Sequence, residues 1–227
     1  MTVLLASDLS RCRATLQALG REVADFVEAC AKALPKRISP HDAGERLEAF
    51  SELLTEFDAI GKDIITNHRP RGDDLRTAVR MLKAGRELRR IALICQEISR
   101  NDAGKLHELD RDVAIPLARA TMRTASLFRN GLVATIAEDE GNVEVARLQF
   151  GALVDLLAVT LRRATLCARR DPRAASACLR TEDYAEQLER IGEVALRLYG
   201  FESRIRRMPI IPIAEHPETT RARPETP

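Results

Sequence analysis

A four-residue motif occurs twice in this chain, one hundred residues apart, and each copy lies inside a long helical pattern. It reads Leu-Arg-Arg-Ile from Leu88 to Ile91 and Leu-Glu-Arg-Ile from Leu188 to Ile191. Repetition of a motif at a fixed distance predicts repetition of the structural unit that contains it. We therefore expect a chain built from two related halves.

The two copies differ in their acidic residues. The second copy carries Glu189 and Glu193, four residues apart and so on one face of a helix. The first copy has Arg89 and Leu93 at the corresponding positions. The sequence thus predicts an acidic pair in the second half and its loss in the first.

The residue composition predicts an all-α protein. Ala, Leu, Arg and Glu are frequent, and Trp is absent, a bias typical of helices that pack through aliphatic stripes. Apolar residues recur at helical spacing between prolines, which predicts six helices. We expect helices at Asp8 to Leu34, His41 to Asn67, Asp73 or Asp74 (as the N-cap) to Asn101, Pro116 to Glu138, Asn142 to Arg170, and Pro172 to Arg207.

Short connections between consecutive helices predict antiparallel neighbours, and hence two tandem three-helix bundles. The first bundle is expected at residues 1–103 and the second at residues 104–207, joined through Ser99 to Ile115. Residues 208–227 contain five prolines among Thr, Glu and Arg, a composition that predicts a flexible, disordered tail.

Charge and cysteine usage exclude several classes of protein. A formal net charge of +2 gives no field that would attract nucleic acid. Five scattered cysteines without a Cys-x-x-Cys pair favour buried, reduced thiols over a disulfide framework or a zinc site. The four histidines form no metal-binding or nucleophilic pair. With no apolar run long enough to span a membrane and no signal peptide, we expect a cytoplasmic protein.

A row of carboxylates follows one face of the last predicted helix. Its members, at spacings of four, three and four, are Glu182, Glu186, Glu189 and Glu193. Such a row could hold a hard cation if another helix added an acid, for which Asp155 is a candidate and Glu144 a weaker one. The spacing favours instead exposed helix ion pairs with Arg190 and Arg197. Gly192 beside the row indicates close packing or space near the backbone.

Two segments carry a resemblance to a known family. The first is Asn67-His-Arg-Pro-Arg-Gly-Asp-Asp-Leu-Arg76, continuing to Glu87-Leu-Arg-Arg-Ile91, and the second is Asp171-Pro-Arg173 followed by Leu188-Glu-Arg-Ile-Gly-Glu193. They resemble the Arg-x-Pro-x-x-x-Asp-Leu-Arg and Glu-Leu-Glu-Arg-Ile-Gly-Asp signatures of the PhoU family. The resemblance extends from the first helix to Arg207.

The resemblance implies a regulatory role without catalysis. PhoU proteins are two related three-helix bundles that restrain the phosphate-specific transporter and the phosphate-sensing histidine kinase when phosphate is plentiful. The implied partners are the ATPase subunit of the phosphate ABC transporter, the sensor kinase and a second copy of the chain in a homodimer. The implied location is the cytoplasm, at the inner face of the membrane through these partners.

The family holds multinuclear metal sites on acidic motifs, of which this chain retains a part. Glu189 and Glu193 match the second-repeat motif, where the resemblance implies a divalent or iron cation, or no cofactor. The acidic pair of the fifth helix would fall on Phe150 and Val154, so Asp155 is one residue out of register. In the first repeat, Asp58 matches a family acid.

Arginine in place of the first-repeat acid should defeat cation binding there, because Arg89 repels a cation. Leu93 supplies no ligand either. Without a metal, we expect Arg89 to form an internal ion pair with Asp58.

Two other functions remain open from the sequence. One is a helical scaffold that dimerises through its aliphatic faces. The other is a metal-dependent hydrolase built on the carboxylates between Glu182 and Glu193.

Overall fold

The structure, a computed structural model, describes residues 3–36, 43–102, 109–137 and 143–199. These residues form six α-helices and contain no strand, which confirms the all-α prediction. A 3-10 turn follows the first helix, a π-helical turn extends the second, and a 3-10 turn precedes the sixth. The helices are α1 Val3–Ala33, α2 Ala43–Asp63, α3 Gly72–Asp102, α4 Arg111–Ala137, α5 Val143–Arg170 and α6 Ala175–Tyr199.

The helices of each half pack on one another, α1 with α2 and α3, and α4 with α5 and α6. The halves meet where α1 packs against α4 and α3 packs against α6, so equivalent helices of the two halves face each other. One cluster of buried apolar side chains runs through both halves. The division of the chain into units at residues 1–103 and 104–207 therefore stays a prediction.

Polar contacts connect α1 to its neighbours on two sides. His68 at the end of the π-helical turn has its Nε2 2.8 Å from Asp8 Oδ2, near the start of α1. Arg129 of α4 places its Nη2 2.6 Å from Glu28 Oε1 of α1. The second contact joins the two halves of the chain.

The start of α4 differs from the prediction, because Pro116 lies inside the helix and not at its first residue. The helix begins at Arg111, after Asp110, whose Oδ1 accepts the Asp112 amide at 3.3 Å. Proline has no amide proton to donate to the carbonyl four residues earlier. Here that carbonyl belongs to Asp112, and Arg163 Nη1 of α5 lies 3.4 Å from its oxygen.

The predicted cap of the sixth helix is confirmed. Asp171 precedes Pro172, and its Oδ1 accepts the amide of Arg173 at 2.9 Å. The first turn after this cap is a 3-10 turn, and the α-helix proper follows.

Two other helices, α1 and α3, begin earlier in the chain than predicted. The prediction that Asp73 or Asp74 caps α3 is wrong, because α3 begins at Gly72 and both aspartates lie in its first turn. Carboxylates are favourable there too, since they face the positive end of the helix dipole. The first helix begins at Val3, five residues before the predicted Asp8.

Some predictions fall on parts of the chain that the structure does not describe. They are the continuation of the last helix to Arg207 and the tail at residues 208–227. The connection predicted at Ser99 to Ile115 is shorter than expected, since α3 and α4 both extend into it. Among the described residues, no helix combines the length and apolarity that crossing a lipid bilayer requires.

Candidate functional site: the motif helices α3 and α6

The apolar residues of both motif copies are fully buried. Leu88 and Ile91 on α3 and Leu188 and Ile191 on α6 have essentially no exposed surface. Each copy therefore anchors its helix in the common core, and burial of one such side chain stabilises the fold by about 1.5–3 kcal/mol. Residues between these anchors point towards the neighbouring helices or solvent.

In the first copy, the predicted ion pair between Arg89 and Asp58 is present. Arg89 Nη2 of α3 donates to Asp58 Oδ2 of α2, and about half of each side chain is exposed. Leu93, one helical turn further along, has 57% of its surface exposed. A guanidinium therefore contacts the oxygen that a cation would otherwise use. An exposed pair of this kind adds only about 0–1 kcal/mol to stability.

In the second copy, two of the four aligned carboxylates pair with arginines of the same helix. Arg190 Nη2 lies 2.6 Å from Glu186 Oε1, and Arg197 Nη1 lies 3.9 Å from Glu193 Oε2. Both are the four-residue helix pairs that the spacing allows. Glu189 is half-buried between them.

Close packing explains the glycine beside these acids. A Cβ on Gly192 would lie 2.7 Å from Phe150 Cε2 and 3.2 Å from Leu153 Cδ2, both on α5. The Phe150 ring therefore rests on the α6 backbone. Phe150 occupies one of the two places where the family resemblance would have put a helix-five carboxylate.

An ion pair with a buried carboxylate joins the two motif helices, and it was not predicted from the sequence. Glu87 is only 7% exposed. Its Oε2 accepts a hydrogen bond of 3.0 Å from Arg197 Nε, which belongs to the other half of the chain. Its other oxygen receives Arg90 Nη1, also at 3.0 Å. The equivalent position on α6 is Gln187, whose buried Oε1 has no hydrogen-bond partner among the described residues. The only sequence signal for this contact was that Glu87 of the first copy is replaced by Gln187 in the second.

Three of the five cysteines, Cys12, Cys95 and Cys178, are poor nucleophiles, because burial favours the neutral thiol. Burial raises the pKa of Cys12 to about 12. Burial and then the neighbouring Cys167 raise the pKa of Cys178 to about 11. Burial, followed by the influence of Cys30, also raises the pKa of Cys95. These shifts agree with the predicted buried, unreactive thiols.

Comparison with known proteins adds a structural likeness. No family model and no curated protein matches the sequence. The crystal structure of PhoU from Pseudomonas aeruginosa superposes with a TM-score of 0.72 at 20% sequence identity. The match covers 89% of this chain and 98% of that one.

The chain has the PhoU fold. The resemblance drawn from the two motifs is thereby confirmed for the architecture.

The metal sites that the PhoU resemblance implies do not fit the side chains present. Among the described residues, no three His, Cys, Asp or Glu side chains lie close enough to share a cation. Asp155 is exposed, although its neighbours Leu153 and Leu157 on α5 are buried. A multinuclear site is therefore not supported, and a single solvated cation on Glu189 and Glu193 stays a prediction.

The buried acid between the halves should contribute to stability. Replacing Glu87→Gln removes the charge that faces Arg90 and Arg197 but keeps the side-chain size. We expect a loss of about 1–2 kcal/mol in the free energy of unfolding, since charged hydrogen bonds are replaced by weaker ones. Urea denaturation followed by circular dichroism measures it. Glu186→Gln is the control, where loss of an exposed pair should cost less than about 0.5 kcal/mol.

The Phe150 contact with Gly192 predicts opposite effects of alanine at two glycines. Gly192→Ala should destabilise by about 1–2 kcal/mol, because the displaced ring costs more than the gain in helix propensity. Gly151→Ala on α5 meets nothing within 4 Å, so it should stabilise by about 0.5–1 kcal/mol. Thermal denaturation of both variants measures the difference. Equal shifts of the two melting temperatures would contradict the contact.

Thiol labelling should distinguish buried from half-buried cysteines by their reaction rates. At neutral pH the half-buried Cys167 should react with a disulfide reagent well before Cys12, whose thiolate forms only as the pH approaches about 12. Peptide mapping after timed labelling measures the order. In denaturant, all five cysteines should react at similar rates. If Cys12 of the folded protein reacts as fast as Cys167, Cys12 is not buried as described.

Proposed function

We propose that this chain is a PhoU-like regulator of phosphate uptake and phosphate-responsive signalling. It acts through protein contacts, and its partners are the ATPase subunit of a phosphate ABC transporter and a phosphate-sensing histidine kinase. The proposal places it in the cytoplasm, held at the inner membrane by these partners. Its role is not catalytic.

The observation that carries the proposal is the likeness to a PhoU structure over nearly the whole of both chains. The two sequence motifs support the same family independently of this likeness. Their apolar residues are fully buried, as a motif that anchors a helix in this fold requires. The poor nucleophilicity of the buried thiols is consistent with a non-catalytic role.

A metal-dependent hydrolase is not favoured by the carboxylates of α6. Glu186 and Glu193 pair with arginines, and such pairing competes with a cation for the same oxygens. A scaffold role is compatible with the regulatory one, because an adaptor of this kind works by holding other proteins.

Deletion of the gene tests the regulatory role. We expect transporter expression and phosphate uptake to stay high when phosphate is plentiful, because the restraint on both is lost. Radiolabelled phosphate uptake and transporter transcript levels at high and low phosphate measure this. Restoring the wild-type chain provides the control. Unchanged uptake and expression at both phosphate levels would exclude the proposal.

Affinity capture identifies the partners directly. The tagged full chain should retain the transporter ATPase and the sensor kinase, with amounts that differ between phosphate-rich and phosphate-starved cells. If neither protein is recovered under either condition, the proposed role in PhoU-like signalling is contradicted.

A further inference from the structure

Two cysteines lie on either side of the turn that joins α5 to α6. Cys167 is three residues before the end of α5, and Cys178 is the fourth residue of α6. Between them, the Asp171 cap and one 3-10 turn reverse the direction of the chain. The Asp171 amide donates to the Cys167 carbonyl oxygen at 2.9 Å, so Cys167 belongs to the turn itself. We call Cys167 and Cys178 the turn cysteines.

Packing further along the same two helices places the turn cysteines opposite each other. A Cβ on Gly192 of α6 would lie 3.2 Å from Leu153 Cδ2 of α5, so these two positions face each other. Cys167 comes fourteen residues after Leu153, and Cys178 comes fourteen residues before Gly192. Fourteen residues make nearly four helical turns, so equal steps along two antiparallel helices return to the facing sides at one level.

The thiols of the turn cysteines are in direct contact, since they share a hydrogen bond. Small residues surround them: Ala164 and Ala168 precede and follow Cys167, and Ala177 precedes Cys178. Small side chains between two helices allow the helix axes to approach, and a disulfide needs Cα atoms within about 7 Å of each other. The hairpin thus has the composition that a disulfide between its helices requires.

A cavity gives solvent access to one of the turn cysteines. Cys167 lines an open cavity of about 620 Å³ between the start of α4 and the end of α5, together with charged residues such as Asp112, Arg163 and Arg170. Cys167 is half-buried, whereas Cys178 is 7% exposed. A small polar oxidant that enters this cavity therefore meets Cys167 first, with Cys178 behind it.

A second cysteine pair in the same protein provides a contrast. Cys30 of α1 lies close enough to Cys95 of α3 to contribute, after burial, to the raised pKa of Cys95. Their exposed fractions are only 5% and 1%, so an oxidant reaches them only when the fold opens locally. Both pairs have neighbouring thiols, and access to solvent distinguishes the turn cysteines.

We propose that the turn cysteines are a redox-modification site, at which hydrogen peroxide converts Cys167 and Cys178 into a disulfide that a dithiol reductant reverses. The site goes beyond the proposed regulatory function and does not rest on it, because it follows from the α5–α6 hairpin alone. In a reducing compartment, a disulfide of this kind is transient and forms in response to oxidant.

The reaction balances with one molecule of peroxide. The Cys167 thiolate attacks a peroxide oxygen, so an S–O bond forms, the O–O bond breaks, and the departing hydroxide takes up a proton to become water. The Cys178 sulfur then attacks the sulfur of this sulfenic acid. An S–S bond forms, the S–O bond breaks, and the hydroxyl leaves with the Cys178 proton as a second water. The two thiols lose two electrons and two protons, and the peroxide is reduced.

Burial of Cys178 slows its reaction with reagents in solution but not the second step. The pKa of Cys178 is raised first by burial and then by Cys167, and the second cause ends when Cys167 becomes a neutral sulfenic acid. The two sulfurs are already in contact, and groups held together react with a high effective concentration. Cys167 is therefore the thiol that meets the oxidant, and Cys178 is the thiol that resolves it.

Peptide mapping without reductant tests the site in the folded, full-length chain. The chain is treated with hydrogen peroxide, blocked with N-ethylmaleimide in denaturant and digested with trypsin, which cleaves after Lys and Arg. Cys167 is then released within residues 164–169 and Cys178 within residues 174–180. We expect these two peptides to be joined, with the sum of their masses less two hydrogens. Dithiothreitol should separate them.

Three results of this mapping would overturn the proposal. The first is the absence of the joined peptides, whether or not Cys167 itself is oxidised. The second is a link from Cys167 to Cys167 of another copy. The third is linkage of Cys30 to Cys95 at the same rate, since it would show that access to the cavity does not select the site.

Variants separate the roles of the two thiols. In Cys178→Ala nothing removes the sulfenic acid at Cys167, so its labelling by dimedone should rise about tenfold or more over wild type. In Cys167→Ser, Cys178 should remain a thiol at the same dose of peroxide. Equal dimedone labelling of wild type and Cys178→Ala would overturn the role of Cys178.

Cys30→Ala is the matched control, because it removes a buried cysteine outside the hairpin. It should give the joined peptides in the same yield as wild type, and a loss of linkage in this variant would overturn the assignment to the turn cysteines. Circular dichroism should show the same helicity for every variant. The mapping of the wild-type chain decides the proposal by itself if a variant fails to fold.

Discussion

The contact of Arg197 with the buried carboxylate of Glu87 ties the two halves of the chain together. It joins α3 to α6 across 110 positions of sequence, on the same two helices that carry the fully buried leucines and isoleucines of the motifs. A carboxylate that is 7% exposed needs its positive partners, because an unpaired buried charge costs several kcal/mol. Sliding α3 along α6 by one turn would separate these charges, so the pair favours one register of the halves.

The two motif copies make different contacts with the second helix of their own half. In the first half, Arg89 bridges α3 to Asp58 on α2. In the second half, the Phe150 ring of α5 packs on the backbone of α6 at Gly192. Each contact occupies a place where the family resemblance implied carboxylate ligands. Each half therefore has a contact of its own between its second and third helices.

The sequence predicted the helices well because their periodicity is local. It also predicted the Asp171 cap and the Arg89 contact with Asp58, since each follows from a motif and its register. The predicted start of α4 was wrong, because the helix continues through Pro116. The Asp112 carbonyl that Pro116 cannot bond receives Arg163, a residue from another helix. The Glu87 contact could not be foreseen for the same reason. Pairings between distant helices depend on their relative rotation, which periodicity alone does not determine.

The contacts at the two motif copies differ in their sensitivity to ionic strength. At 0.1 M salt, screening acts over about 10 Å and weakens interactions between exposed charges. The half-exposed contact of Arg89 with Asp58 falls in this class, whereas van der Waals packing of Phe150 on Gly192 does not. Added salt should thus weaken the Arg89 contact with Asp58 and leave the Phe150 contact unchanged. The first half also has a contact of the second kind, since the Phe57 ring of α2 lies against Gly85 of α3, so aromatic packing keeps the second and third helices of both halves together when salt screens the ion pair.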